Sequence, residues 1–250
     1  MLDTDRTVDD AYKGVGVASR RVAEILRAAW AESPDGTDLS ASLAAACVRS
    51  LPVSGVGLAL MTDEGPAGIV AATDCAAREL EELQFTLGEG PCVDASGTGR
   101  PVLQPDLAAT APLRWPAFAG GALEAGVRAV FAFPLRVGAI RVGVLDLYRD
   151  RAGPLSTGEL TEALSFADAA TLVLLNAQAG SPGTGTVPAL DDRAEVHQAT
   201  GVVSVQAAVG LAEALVLLRA RAFAEDRPVG DLARDILTGT VDFREDGDSG

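Results

Sequence analysis

Aromatic residues, histidine and lysine are scarce in this sequence. Aromatics make up 4% of its 250 residues, and His197 and Lys13 are the single residues of their kinds. The three cysteines, Cys47, Cys75 and Cys92, are widely spaced, and no CxxC or HxxxH pattern is present. This argues against a metal site of zinc-ligand spacing, and scattered cysteines in odd number are typical of reduced thiols. The core must therefore be built from alanine, valine and leucine.

Long apolar runs and an excess of positive charge are missing as well. No segment approaches the run of about 20 apolar residues that a membrane-spanning helix needs. The acidic residues near the start of the chain are unlike a secretory signal. The net charge of −15 disfavours non-specific binding to nucleic acids or anionic membranes, because the field of the whole molecule repels both. We therefore expect a soluble cytoplasmic protein without membrane contacts.

The usual signatures of an enzyme are also absent from the sequence. The glycine-rich stretch Gly88–Pro91 lacks the Lys-Ser/Thr of a phosphate-binding loop. Cys92 follows it at the start of a predicted helix, where a thiol pKa can be lowered, but a buried structural thiol is the alternative. His197 either titrates near neutral pH or is incidental. Without a coupled nucleophile and base, we predict a protein that is not an enzyme and uses no cofactor.

A segment rich in glycine and proline divides the chain. Residues 179–188 contain little else than Gly, Pro, Ser and Thr, which predicts a flexible linker. We predict an N-terminal helical segment at 1–19, a main domain at 20–178, a small domain at 189–241 and a disordered tail at 242–250.

The main domain mixes strand and helix patterns. Strands are predicted at about 53–61, 68–73, 129–136 and 140–148, and helices at about 8–30, 39–49, 76–83 and 157–178. Because the strands come in adjacent pairs, the pattern favours an α+β fold with an antiparallel sheet and flanking helices. On the last helix we predict a dimer face, formed by Leu160, Ala163, Leu164, Ala167 and Leu174.

The small domain has a purely helical period. Apolar residues share one face in each of three predicted helices, at about 196–207, 211–222 and 229–237. Gly210 and Pro228 mark the breaks between them. Three short amphipathic helices bury one small common core, so dimerisation or docking would add stability.

Several short motifs in the main domain agree with one known family. They are Leu83–Cys92 (LQFTLGEGPC), Gly99–Val102 (GRPV), Pro105–Leu107 (PDL), Trp115–Phe118 (WPAF), Gly126–Arg128 (GVR), Phe133–Leu135 (FPL) and Gly143–Tyr148 (GVLDLY). In order and spacing they resemble the GAF domains of actinobacterial regulators. The resemblance implies a sensory domain for a small molecule or other signal. Trp115, Phe118, Phe131 and Phe133 are candidates for lining its pocket, or else they simply fill the core.

The small domain resembles an ANTAR domain, the RNA-binding module of transcription antiterminators. The matching residues are Arg193, Gln198, Ala199, Gly201, Ala214, Leu218, Arg227, Asp231 and Ala233, while Thr200 stands where that family usually has lysine. The resemblance implies a dimer that binds paired RNA hairpins. The candidate RNA-binding residues are Arg193, Gln198, Thr200, Gly201, Arg219, Arg221 and Arg227. Alternatively, these arginines pair with neighbouring acids, and Gly201 serves close helix packing.

Together these features predict a signal-responsive transcription antitermination regulator. The main domain would sense a signal, and the small domain would bind RNA hairpins as a homodimer. From residue 189 onward, however, six arginines face twelve acidic residues, a net charge of −6. The alternative is therefore a sensory and dimerisation module whose small domain binds protein partners instead of RNA.

Overall fold

An antiparallel sheet of five strands organises the first part of the chain. The computed structural model describes residues 20–33, 36, 38–62, 65–178, 194–225 and 227–244. The strands are Gly55–Thr62 (β1), Gly65–Ala72 (β2), Val102–Gln104 (β3), Ala129–Val137 (β4) and Ile140–Arg149 (β5). Their order is β2-β1-β5-β4-β3, and every neighbouring pair is antiparallel. Gly138 makes the β4–β5 turn at a φ of 60°, which glycine adopts without strain.

Helices cover both faces of this sheet. On one face lie Arg20–Glu32 (α1), Leu39–Ser50 (α2) and Thr157–Gln178 (α7). On the other face lie Cys75–Leu87 (α3), Pro91–Thr98 (α4), Leu107–Arg114 (α5) and Pro116–Glu124 (α6). The predicted α+β fold, with an antiparallel sheet and flanking helices, is confirmed. We call residues 20–178 the sheet region.

Each face of the sheet has its own core, because side chains alternate along a strand. On β4, Phe131 and Phe133 point toward α1, α2 and α7. On β5, Val144 and Tyr148 point toward α3 to α6. Asp146 shares their parity and therefore places a carboxyl group in the second core, where it is 3% exposed.

The last described part of the chain, residues 194–244, is helical, and we call it the tail. Its helices are Ala194–Gln206 (α8), Leu211–Ala224 (α9) and Val229–Leu237 (α10), close to the bounds predicted from the helical period. Small and branched side chains fill the space between them. This cluster comprises Val196, Ala199, Val203, Ala214, Leu215, Leu218, Ala222, Val229, Leu232, Ala233 and Ile236, and Phe85 of the sheet region joins it.

The structure corrects the dimer face predicted on α7. Ala163, Ala167 and Leu174 are buried in the core of the sheet region, and Leu160 is half-buried against it. Only Leu164 is substantially exposed, at 43%. The apolar stripe of α7 packs along β4 and β5, so most of it cannot contact a second copy of the chain.

Helix α7 is also the one described helix that, taken singly, is long and apolar enough to span a membrane, although no membrane-spanning segment was predicted. By length and composition, α7 would suffice to cross a membrane, although no uninterrupted apolar run suggested it. In this fold the core-facing side of α7 packs against the sheet, as core helices of similar composition do.

Some predicted boundaries lie outside the described residues. These are the N-terminal segment 1–19, the linker 179–188 and residues 245–250. The rest of the predicted disordered end, 242–244, packs on the tail instead. The backbone N–H of Phe243 donates to Oε1 of Gln206 at 3.1 Å, and the Arg221 guanidinium carbon lies 5.0 Å from the centre of the Phe243 ring.

Candidate functional site

The most unusual feature of the sheet region is a set of polar groups buried in its second core. Asp146 lies in the middle of β5, with Gly57 of β1 opposite it on one side and Ala132 of β4 on the other. Both neighbours are small, so they leave space above Asp146 for side chains from the helices. A Cβ atom at position 57 would lie 2.2 Å from Oε1 of Glu81, so a larger residue there would displace the Glu81 carboxylate.

Helix α3 supplies two of these side chains because of how it begins and ends. Asp74 caps its start by accepting from the N–H of Ala77 at 2.8 Å, and it also accepts from the Tyr148 hydroxyl of β5 at 2.7 Å. Gly88 ends the helix in the left-handed conformation, with a φ of 65°. Glu81 and Gln84, separated by three residues, therefore both project toward the sheet.

The turn Gly88–Pro91 positions the third buried side chain of the cluster, that of Cys92. Oε1 of Glu89 accepts from the N–H groups of Ala117 and Phe118, both at the start of α6. Pro91 then starts α4, and Cys92 follows it, fully buried. The glycine-rich motif is thus a structural turn that caps one helix, ends another and starts a third.

Hydrogen bonds connect the cluster. Nε2 of Gln84 donates to Oδ2 of Asp146 at 3.0 Å, and Oε1 of Gln84 accepts from the N–H of Cys92 at 2.7 Å. Burial raises the pKa of Asp146 to about 6, while hydrogen bonds from Glu81 and Gln84 act in the opposite direction. Burial therefore favours the protonated, neutral form of the Asp146 carboxyl group.

Three of these residues carry atoms that ligate metals. One donor atom each from Glu81, Cys92 and Asp146 lies within 4.8 Å of the others, and all three residues are buried. No sequence motif joins these three residues, because they are 11 and 54 residues apart along the chain. The period-2 pattern of β5 was the one available signal, since it places an acidic residue among inward-facing apolar ones.

The four aromatic residues predicted to line a pocket do not lie together. Trp115 and Phe118 belong to the second core, where their rings meet edge to face with centres 6.3 Å apart. Phe131 and Phe133 lie on the opposite face of the sheet. All four are at most 2% exposed, so the alternative, that they fill the core, describes their positions.

The end of helix α3 also contacts the tail. Phe85 follows Gln84 directly and is buried among the apolar side chains of the tail. The guanidinium carbon of Arg219, from α9, lies 5.4 Å from the centre of the Phe85 ring. The same guanidinium stands over Gly88, where an added Cβ would lie 2.8 Å from Nη1. Arg219, a predicted RNA-binding residue, is therefore held against the sheet region.

Two other predicted RNA-binding residues share a surface groove on the tail. Gln198 and Gly201 lie along a groove of about 560 Å³, together with Gln206 and Arg244. Arg221 lines an adjoining groove of about 640 Å³, which shares Gln206 and Arg244. An added Cβ at Gly201 would meet no atom within 4 Å, so close helix packing does not explain this glycine.

The remaining candidates are placed differently. Thr200 is not on the surface as expected: it is 6% exposed, and its hydroxyl donates to the Val196 carbonyl at 2.7 Å. Arg227 pairs with Asp235 at 2.6 Å and also with Glu225. Arg193 lies outside the described residues. Ion pairing with neighbouring acids, the alternative for these arginines, is thus observed for Arg227 and also for Arg221, whose Nε lies 2.8 Å from Oε1 of Glu225.

Comparison with known proteins identifies the family to which the sheet region belongs. The GAF domain family model matches residues 35–174, more than half of the chain, so the chain belongs to the GAF domain family of signal-sensing modules. A solved GAF domain from a phosphoenolpyruvate-protein phosphotransferase of Coxiella burnetii is 17% identical, with a TM-score of 0.49, and the match covers 64% of this chain and 95% of that one. Its Acinetobacter counterpart is 12% identical, with a TM-score of 0.46 and coverages of 66% and 98%. No curated protein matches this chain.

Proposed function

We propose that this protein is a cytoplasmic, signal-responsive regulator of transcription termination and has no enzymatic activity of its own. In this proposal the GAF domain senses a small molecule or another signal. The tail binds hairpin RNA as a dimer and prevents termination.

The observation that carries the sensory part is the double role of α3. Its last two turns hold Glu81 and Gln84 in the buried polar cluster and place Phe85, one turn after Glu81, in the core of the tail. A rotation or shift of α3 that accommodates a change at the cluster would therefore also move Phe85. Packed interfaces of this kind switch between discrete arrangements and do not deform continuously, so a small change at the cluster can alter the docking of the tail.

RNA binding is supported by the two adjoining grooves on the tail. They bring Gln198, Gly201, Arg221 and Arg244 to one continuous surface. Arginine contacts phosphates and stacks on the splayed bases of hairpin loops. Because Arg219 lies against Phe85 instead, it would reach RNA only after the tail leaves the sheet region. We infer that the docked form binds RNA weakly and that the signal releases the tail.

A second function is favoured by the rest of the tail surface. Val205, Val216 and Phe223 are 82%, 61% and 62% exposed. Arg234 pairs with Glu195 and Asp231, which reduces the positive charge available for phosphates. Exposed apolar side chains with neutralised arginines suit a protein partner better than RNA.

The test is binding of the full chain to tandem-hairpin RNA from its own genomic neighbourhood, measured by fluorescence anisotropy at two salt concentrations. We expect specific binding that weakens as salt is raised, because each phosphate contact releases counterions. Arg221→Ala should weaken it roughly tenfold and lower its salt dependence. The matched control is Arg20→Ala, which removes the same charge from α1, where the side chain is 94% exposed and lines neither groove.

The Arg219→Ala variant separates the two roles of that residue. If Arg219 mainly holds the docked form, its loss should strengthen RNA binding; if it mainly contacts phosphate, its loss should weaken it. No binding by any of these variants, with correctly folded protein, would contradict the RNA proposal and favour a protein partner.

Sedimentation at several concentrations tests the proposed homodimer, which cannot use the buried stripe of α7.

A further inference from the structure

We propose that Glu81, Cys92 and Asp146 form a binding site for a divalent transition-metal cation such as Zn²⁺. This site lies in the second core of the GAF domain, between α3, α4 and β5. The proposal is independent of what the tail binds. It concerns a group of residues whose donor atoms already lie within 4.8 Å of one another.

The spacing and chemistry of the donors suit such a cation. Zn²⁺ binds thiolate sulfur at about 2.3 Å and carboxylate oxygen at about 2.0–2.2 Å, so two donors on one tetrahedral ion lie roughly 3.5 Å apart. The three side chains therefore need to move only slightly for all three donor atoms to bind one ion. A thiolate with two carboxylates is a donor set for Zn²⁺ and other borderline cations, whereas Mg²⁺ and Ca²⁺ prefer oxygen alone.

An oxygen atom of Asp146 points to a ligand independently of this spacing. Oδ1 is buried, and within the described part of the chain no hydrogen bond of ordinary geometry reaches it. The carboxyl group of Glu81 interacts with that of Asp146, and two such groups can bond each other only while they share a proton; if both are ionised, their repulsion inside the core is costly. Asp146 is 3% exposed, in the midst of the donor group, so a bound cation would satisfy this oxygen.

Gln84 acts as the residue that positions two of the ligands. Its Nε2 holds Oδ2 of Asp146, and its Oε1 holds the backbone N–H of Cys92. Such second contacts orient metal ligands and leave the remaining donor atom directed at the ion. Gly57 keeps the space that the Glu81 carboxylate occupies. The small residues beside Asp146 therefore leave room for the ligand side chains, which an apolar core would not require.

Binding would change the protonation of the site in a defined way. As the metal–sulfur bond forms, the Cys92 thiol loses its proton to the buffer, and the two carboxyl groups bind as carboxylates. Two carboxylates and one thiolate around a divalent cation leave one net negative charge. A water molecule can occupy the fourth position of a tetrahedral ion.

The test uses Co²⁺ as a spectroscopic probe on the reduced, metal-stripped full chain. We expect one equivalent of Co²⁺ per chain, with a sulfur-to-cobalt charge-transfer band in the near ultraviolet and visible bands of tetrahedral intensity. Zn²⁺ added afterwards should displace Co²⁺ and abolish these bands. Mg²⁺ at the same concentration should have no effect.

Two variants and one control assign the site. Cys92→Ser should abolish the charge-transfer band, and Asp146→Asn, which keeps the shape and the bond to Gln84, should weaken Co²⁺ binding more than about tenfold. Cys75→Ser removes an exposed thiol and should bind Co²⁺ like the parent protein. If Cys92→Ser does not fold, X-ray absorption of the Co²⁺-loaded parent chain still reports whether one sulfur is bound.

Three results would overturn the proposal. The first is the absence of a charge-transfer band in the folded parent chain, and the second is a band that Cys75→Ser removes. The third is unchanged Co²⁺ affinity in Asp146→Asn. In each case the cluster would be a hydrogen-bonded network without a metal.

Discussion

The guanidinium group of Arg219 lies over the ring of Phe85, 5.4 Å from its centre, and this contact joins the tail to the GAF domain. Phe85 comes from the helix that also carries the buried polar cluster, whereas Arg219 belongs to a helix that was expected to contact RNA. Arg219 therefore cannot contact RNA while it packs on Phe85 of the sheet region.

We expect Arg219→Ala to loosen the docked tail without unfolding either part. A cation–π contact of this kind contributes about 0.5–2 kcal/mol, so local opening should become roughly 2- to 30-fold more frequent. Amide hydrogen exchange at the end of α3 and along α9 measures this change. Arg20→Ala is the control and should leave exchange at α3 and α9 as it is. Equal exchange in Arg219→Ala and the parent chain would mean that the contact does not hold the tail.

Gly57→Ala should destabilise the GAF domain by about 1–3 kcal/mol, because the added methyl group overlaps the Glu81 carboxylate. Denaturant unfolding followed by circular dichroism measures the free energy of unfolding. Gly120→Ala is the control, since an added Cβ there, within α6, meets no atom within 4 Å. Its helix propensity should make that variant more stable by up to about 1 kcal/mol. A Gly57→Ala variant as stable as the parent would show that the Glu81 side chain can easily move away.

The start of α7 should make stability depend on pH. Oε2 of Glu159 accepts from the Ser156 N–H at 2.6 Å, Ser156 Oγ accepts from the Glu159 N–H at 3.3 Å, and the buried Arg149 lies 3.3 Å from Oε1. These interactions, first the backbone bond from Ser156, lower the pKa of Glu159. The stability that they contribute is therefore present above the ordinary pKa of glutamate, about 4.3, and is lost as the pH falls through the lowered value.

Glu159→Gln removes the ionisation and should flatten this part of the pH profile, while costing up to about 1 kcal/mol at neutral pH. Unfolding in urea between pH 3 and pH 7 compares the two proteins. Parallel profiles would contradict a contribution from the capping box at Ser156 and Glu159.

Thr200→Val tests whether the buried position of Thr200 excludes it from binding RNA. Valine has nearly the same shape, and only the hydroxyl bond to the Val196 carbonyl is lost, so stability should change by less than about 1 kcal/mol. RNA affinity, measured as above, should not change. Gln198→Ala alters an exposed residue of the same helix and should weaken binding if RNA occupies the groove. A loss of affinity in Thr200→Val alone would return Thr200 to the binding surface.

Much of the secondary structure follows from the sequence because it depends on local periodicity. The β4–β5 hairpin alternates apolar residues and turns at Gly138, and the three tail helices keep a 3.6-residue period between breaks at Gly210 and Pro228. β3, α5 and α6 were not predicted. They are short, and proline occurs inside α5 and at the start of α6, which obscures the helical pattern.

The positions of the functional side chains depend on contacts that periodicity does not contain. The pattern of β4 places Phe131 and Phe133 on one face, but only the tertiary structure puts Trp115 and Phe118 on the other. Likewise, the apolar stripe of α7 was predicted to be a dimer face, and this was wrong, because the sheet and not a second chain covers it. A buried face has the same sequence pattern whichever surface covers it.

The sequence by itself determined the fold class, the types of the longer elements and the motifs that identify a GAF domain, because these depend on local propensity and on residues close in the chain. The tertiary structure decided which residues share a site. Glu81, Cys92 and Asp146 meet because α3, the glycine turn and β5 converge, and Arg219 reaches Phe85 because the tail folds back onto α3. Such contacts depend on long-range packing, and the type of a side chain does not reveal which residue, distant in sequence, it will contact.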